Sequence, residues 1–536
     1  MSSPDPDIII VGAGPVGLTL ALLLAQRGRS VAIYERWQSA FELPRAVAMS
    51  HEAARVYQSA GVLPALLEHM DLHYGKLVGE YFTSDGEVLM RQVFPGLGAS
   101  GFPPMTPFNQ PDVEHTLNEC CENHPLIQVN RGWNARALHQ DHDGVVVEFE
   151  PVNGDKPREG APTQARARYV IGCDGANSTI RSLMGAEVTD TGFSSSWLVV
   201  DLLPSEAVFK SLRLGQSLDP TRPTTLAPSG RGRRRFEFMM LPDDDPLTLA
   251  SEASVWSLLQ RWGVTPQNSA LVRRAIYTFR GRWANSWRDG RVLLAGDAAH
   301  QMPPFMGQGF NSGVRDAVAL AWRLDLILSG KADDSLLDSY TTERLPHVRQ
   351  IIEQSVAFGR IICVTDAADA AARDASLRNA RDNPERAPPP PPEWRLGPGL
   401  LMAGDANAGL LSLQAEVEAE GKRALLDEFI GAGRFVLLAQ GADPATALSP
   451  EAKAMWDALD GVSVSIGGAY GDVTGAYQAW FERLNARVVL VRPDFQIFGT
   501  ASEAEGAEQL VRALGEQLGL KGIPQTVQPI SKAQPA

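Results

Sequence analysis

A chain of 536 residues exceeds the roughly 250–300 residues at which a single hydrophobic core stops growing, so two or three domains are expected. Its formal net charge of −14 disfavours nonspecific binding to nucleic acid or an anionic membrane, since both need a cationic face; only the arginine-rich stretch 231–235 runs the other way. Four cysteines without CxxC spacing argue against a disulfide framework and a metal site, and the lack of a leader pattern or a run of about 18 apolar residues gives the expectation of a soluble, cytoplasmic protein.

The first element is a short apolar run, Ile8 to Val11, followed by glycines at 12, 14 and 17 and an apolar helix pattern over 18–25. Strand, turn and helix in that order form the context a phosphate-binding glycine loop requires. Gly12 permits the tight turn, Gly14 lets backbone approach a pyrophosphate next to Pro15, and Gly17 lets helix pack on strand. A second strand over 30–34 delivers Glu35 to where a carboxylate accepts a ribose hydroxyl, with Arg36 directly after it, either reaching the adenine ribose or facing water. These features leave NAD, NADP and FAD open.

Segments 76–104 and 186–285 contain strand patterns separated by turn-rich stretches, notably 74–82, 196–203, 234–241 and 275–279, and predict a mixed sheet covering the substrate. Residues 168–181 read as a strand entering a helix, with Asp174 and Gly175 at the turn. Residues 291–300 read as a buried strand ending in Asp297, a carboxylate placed to hold a polyol hydroxyl, and a glycine-rich loop at 307–311 opens the next helix.

These three motifs, in this order, resemble the single-component FAD aromatic hydroxylases typified by para-hydroxybenzoate and phenol hydroxylases. The resemblance covers about the first 360 residues. It implies noncovalent FAD, reduction by a transiently bound NADPH or NADH, and hydroxylation of a small phenolic substrate by O2 through a peroxyflavin. It also implies that Pro304, Gly307, Gln308, Gly309 and Asn311 lie along the isoalloxazine, that Gln110 contacts the flavin, and that Arg45 lies near the pyrophosphate. Hydroxylating a phenol is helped by loss of its proton, so a base is expected. Candidates for the reacting centre are His51, Tyr277 and Pro304, with His300 packing near the flavin. Trp197, Phe236, Phe238 and Met240 are expected in the pocket wall.

The expected fold is α/β: a Rossmann-like FAD-binding domain (1–75, 105–185 and 286–365) interrupted by a substrate domain (76–104 and 186–285). A polar, proline-rich stretch at 366–400 predicts a linker, and 401–536 resembles the thioredoxin-like domain of the phenol and 3-(3-hydroxyphenyl)propionate hydroxylase branches. It follows the last cysteine, Cys363, so thiol exchange there is excluded, leaving packing or contact in a possible homodimer. Alternatives in the same branch are an aromatic polyketide tailoring hydroxylase and a Baeyer–Villiger enzyme; outside it stand a non-catalytic FAD-binding protein and a reductase.

Overall fold

The computed structural model describes residues 5–39, 45–71, 77–386 and 393–520. Ile8–Val11 is central in a six-stranded sheet, flanked in parallel by Val31–Glu35 and Tyr169–Gly172, with Ile127–Arg131 and Val292–Leu294 outside them and the short antiparallel Arg288–Asp289 at one edge. A parallel sheet covered on both faces demands near-continuous apolar strands, and the run Ile8, Ile9, Ile10 is fully buried. The helix Pro15–Ala25 lies over this sheet and against the helix Gly309–Leu328, and its residues from Gly17 to Ala25 are all buried, as a helix sandwiched between layers must be.

A second, eight-stranded sheet is built mainly from two long strands, Val188–Pro204 and Ser269–Ala284, followed by Arg234–Met239, Thr224–Pro228, Gly215–Ser217, Leu77–Phe82 and Val88–Phe94. It is mixed, because Gly215–Ser217 and Leu77–Phe82 pair in parallel while the other long pairings are antiparallel. On one face Leu198, Val200, Leu202, Phe236 and Phe238 pack with Leu249, Val255 and Leu259 from the helical segment 246–260. Side chains alternate along a strand, so residues 199, 201, 235 and 237 are turned to the opposite face.

The stretch expected as a linker begins instead with a helix, Ala367–Asp382, whose Asp366 cap accepts hydrogen bonds from the Ala368 and Asp369 amides. Arg378 and Arg381 both bind Glu87 beside the strand Val88–Phe94, so ion pairs dock this helix along its solvated face, while Ala370 is buried and Leu377 packs against the cluster of Tyr81 and Leu89. The proline run 388–392 lies outside the described residues. The 231–235 arginines are not a uniform cationic surface either, since Arg234 and Arg235 are buried.

The C-terminal region folds around a four-stranded sheet ordered Val462–Ile466, Val436–Gln440, Val488–Val491, Ile497–Ala501; the first pair is parallel and the other two antiparallel. Buried charge joins it to the rest. Arg55 forms a two-point pair with Asp427, and Arg492 bridges Asp494 and Glu343, the latter on the helix Asp338–Ile362. Arg323, from the helix Gly309–Leu328, pairs with Glu343 as well, and Trp322 Nε1 donates to Asp494.

Candidate active site

Gly12 adopts φ +111°, and a Cβ there would sit 2.4 Å from the Cys173 carbonyl oxygen; one on Gly17 would meet the Gly12 carbonyl at 2.1 Å. These two glycines therefore serve the fold. Gly14 differs: a Cβ there would meet nothing within 4 Å, and it caps the helix whose first residue is Pro15, leaving free amides facing open space. Glu35 ends the neighbouring strand, and its two carboxylate oxygens accept from the Ala13 and Trp37 amides at 2.7 and 2.9 Å, fixing it beside the loop with lone pairs left for a ligand hydroxyl. Arg36 pairs with the exposed Asp155 at 3.1 Å.

A cavity of about 710 Å³ runs from Gly14 and Pro15 to the eight-stranded sheet. Its walls include Arg45, Gln110, Tyr277, Asp297, Pro304, Gly307, Gln308, Gly309 and Asn311. Asp297 stands on a single 3-10 turn, Gly296–Ala298, half-buried, and no hydrogen-bond donor among the described residues reaches its carboxylate. Gly307, at φ +62°, closes the turn Pro304–Met306. Asn311 accepts from the Ser50 amide and donates to the Ala48 and Gly307 carbonyls, tying that turn to the strand Ala48–Met49. Gln308 accepts from Arg315, which is held by Glu52. An open cradle at Gly14, another at Gly175, and an unpartnered carboxylate at Asp297 fit a dinucleotide that carries a polyol, as FAD does.

Gln110 is buried, and its Oε1 accepts from the Arg45 and Ala46 amides, so it shapes the loop that carries Arg45. Its amide also donates to Glu114. Burial pushes the Glu114 carboxyl up to about 7, against that hydrogen bond and the Arg45 charge. With an unfolded value near 4.5, the folded chain holds the extra proton between the two values, so this group's contribution is complete below about 4.5 and is lost as pH rises through about 7. Glu114→Gln is expected to flatten that decline, and thermal melts across this range in which variant and parent shift in parallel would refute the assignment.

Several expected site residues lie elsewhere. Asp174 is not on the cavity wall: its carboxylate accepts from Ser178 Oγ and the Ile180 amide and so organises the start of the helix Thr179–Leu183. His51 opens the helix His51–Ser59 and packs under Gly98, off the cavity, with burial lowering its pKa; it is not placed to act as a base. His300 is buried and bonded to Asp316 at 2.6 Å, with Arg344 on the other Asp316 oxygen, which makes it part of the scaffold. Phe236, Phe238 and Met240 face the helical layer, because the strand's alternation runs opposite to the expectation that its aromatic face lines the pocket. Trp197 is fully buried beneath Phe305, with its indole donating to Ser195, and is also off the wall.

The wall instead carries Arg235 and Glu237, with Asp201 and Arg273 buried behind it. Asp201 lies in register between Arg235 and Arg273 on the flanking strands; it binds Arg235 through both oxygens at 2.8 and 3.0 Å, and Arg273 at 3.2 Å. Arg235 also donates to the Arg45 carbonyl, and Arg273 to the Tyr277 hydroxyl. Glu237 lies one row on, between Val199 and Thr225, and burial raises its pKa although Arg235 opposes this. The signal in the sequence was the alternation of Arg235 and Glu237 with phenylalanines, and a lone Asp201 in an apolar run.

A family model described as an FAD binding domain matches residues 5–355, and one described as the HcaD C-terminal domain matches 409–517. The chain is 36% identical over 519 residues to a Rhodococcus jostii protein named "probable NADH-specific resorcinol 4-hydroxylase", covering 95% of this chain and 94% of that one. It is 34% identical to the 3-(3-hydroxy-phenyl)propionate/3-hydroxycinnamic acid hydroxylase of Mycolicibacterium smegmatis, over 96% and 94% of the two chains. Its fold resembles that of the flavin-dependent monooxygenase PieE, solved with FAD and substrate (TM-score 0.79, 21% identity, 97% and 100% coverage), and of aklavinone-11 hydroxylase, solved with FAD and aklavinone (0.74, 23%, 96% and 100%). With a glycine cradle, a free Asp297 and this match in hand, the chain belongs to the FAD-binding-domain family of flavoprotein hydroxylases that its motifs resemble.

Proposed function

We propose that this protein is an NAD(P)H-dependent FAD monooxygenase that places one oxygen atom of O2 on a small phenolic ring. The observation that carries this reading is the shared cavity, in which Gly14 and Asp297 line the same space as Tyr277, Arg235 and Glu237. Bound FAD supplies the electrons drawn from the nicotinamide and activates the oxygen. The amides opening the helix Pro15–Ala25 bind pyrophosphate, Glu35 a ribose and Asp297 the ribityl chain. The Gly307–Gly309 turn offers backbone at close range to the ring system, and Pro304, Phe305 and Met302 exclude water from it.

Two further features support the reading. The named relatives act on resorcinol and on 3-hydroxyphenylpropionate, both phenols. The C-terminal strands, in the spatial order second, first, third, fourth with the third antiparallel to the rest, support a thioredoxin-like domain that has lost thiol chemistry and acts in packing. Oxygen uptake with NADH or NADPH should rise when a substrate phenol is added, with a product heavier by one oxygen drawn from isotopically labelled O2. Hydrogen peroxide formation without any labelled product across a panel of phenols would overturn the proposal.

A further inference from the structure

One residue of the cavity wall comes from the stretch expected as a linker. Trp394 is half-buried and shares that wall with Gln308. Its segment is laid along one face of the helix Asp338–Ile362. There the indole Nε1 donates to Gln354 at 2.9 Å, Gln350 donates to the Arg395 carbonyl at 3.2 Å, and the Gly397 amide donates to the Glu343 carbonyl at 2.8 Å. A Cβ on Gly397 would sit 2.2 Å from the Thr342 carbonyl oxygen, so this close approach requires a glycine. The indole is thus held from behind, with the His347 ring set edge-on to it at 6.5 Å between centroids.

The face of the indole lies over Arg315, whose guanidinium carbon is 5.5 Å from the ring centroid. Arg315 is buried. Its Nε and Nη2 donate to the two oxygens of Glu52 at 2.8 and 2.7 Å, and its Nη1 and Nη2 donate to Gln308 Oε1 at 3.2 and 3.1 Å. A guanidinium is a planar fork, so the plane it adopts fixes where the donors to Gln308 point. Gln308 Nε2 in turn donates to the Met306 carbonyl at 3.3 Å. A peptide is planar, so holding that carbonyl also holds the Gly307 N–H, which closes the turn on the Pro304 carbonyl at 2.8 Å. Glu52 already balances the Arg315 charge; what the indole adds is the orientation of the fork.

We propose that Trp394 is a positioning residue for the flavin: stacked on Arg315, it holds Gln308, and with it the Met306–Gly307 peptide, in the orientation that receives the ring system. The segment leading into the C-terminal region therefore completes the flavin site. The inference rests on the reading that the Gly307–Gly309 turn meets the ring system, and it concerns placement of the ring rather than choice of substrate.

The test uses the full-length protein loaded with FAD and reads the flavin itself. Trp394→Leu removes the ring face; it should alter the visible circular dichroism of the bound flavin and weaken FAD about three- to tenfold in equilibrium dialysis, the scale of a lost cation–π contact. Trp394→Phe returns a ring face and should recover most of both signals. Arg315→Lys lacks the fork and should give the same spectral change. Adding Trp394→Leu to it should then change FAD affinity less than about twofold, because both residues act through one contact. A Trp394→Leu protein with the wild-type flavin spectrum and FAD affinity overturns the proposal, whatever its melting temperature, as do effects of the two substitutions that simply add. Should Trp394→Leu fail to fold, Gln354→Met decides, since it frees the indole without touching the cavity or Arg315: the dichroism should shift in the same direction, and an unchanged spectrum overturns the proposal. A Gln308→Met protein with an unaltered flavin spectrum would instead remove the reading that this turn meets the ring, and this inference with it.

Discussion

Glu343→Ala is expected to lower the stability of the protein by about 3–5 kcal/mol, the cost of breaking a buried ion pair from one side. Glu343 is fully buried and accepts from Arg492 at 2.7 and 3.0 Å, from Arg323, and from the Leu400 amide at 2.7 Å. Its removal leaves two fully buried arginines and an amide, with Asp494 the carboxylate left among the described residues to compensate. Because the cluster joins the helices Gly309–Leu328 and Asp338–Ile362 to the C-terminal sheet, loss of that sheet's packing should accompany the fall. Denaturant unfolding followed by tryptophan fluorescence reports it directly, since Trp322 stacks against this cluster. A midpoint within experimental error of wild type would show that the pairs are dispensable.

The second large effect is expected at Asp297. Asp297→Ala removes the one cavity carboxylate aligned with the dinucleotide loop and leaves a ribityl hydroxyl buried without its acceptor, at about 1–3 kcal/mol, or roughly a 5- to 150-fold loss of FAD affinity. The fold should be untouched, because no hydrogen bond among the described residues depends on that side chain. Gly17→Ala provides the contrast: its new methyl group would press on the Gly12 carbonyl, so helix and loop separate and both stability and FAD binding fall. Equilibrium dialysis combined with thermal melts distinguishes the two. Full flavin retention in Asp297→Ala would remove this residue from the site.

The nucleotide-binding half was legible because its constraints are local. A glycine at φ +111° or one pressed against a carbonyl leaves a mark at a fixed position in the chain, and a parallel sheet buried on both faces writes itself as consecutive isoleucines. The helix Ala367–Asp382 was not legible, since its polar composition suits a solvated connector as well as a helix docked through Arg378 and Arg381 to a glutamate nearly 300 residues away. Its neighbour in space is absent from its neighbourhood in sequence.

The sequence by itself determined the family and marked the glycine turn and Asp297 as positions on one cavity, since each rests on short segments whose spacing is dictated by backbone geometry. Only the tertiary structure decided which face of the eight-stranded sheet lines the cavity. Period-two alternation reveals that a strand has two faces but not which one meets the cavity, and here the phenylalanines turned to the helices Pro246–Leu249 and Glu252–Gln260 while Arg235 and Glu237 turned inward. That orientation is set by burial: two aromatic rings gain more against an apolar helical layer than beside a cavity, and the charges they displace are tolerated because Asp201 and Arg273, from strands distant in the chain, arrive in register to balance them.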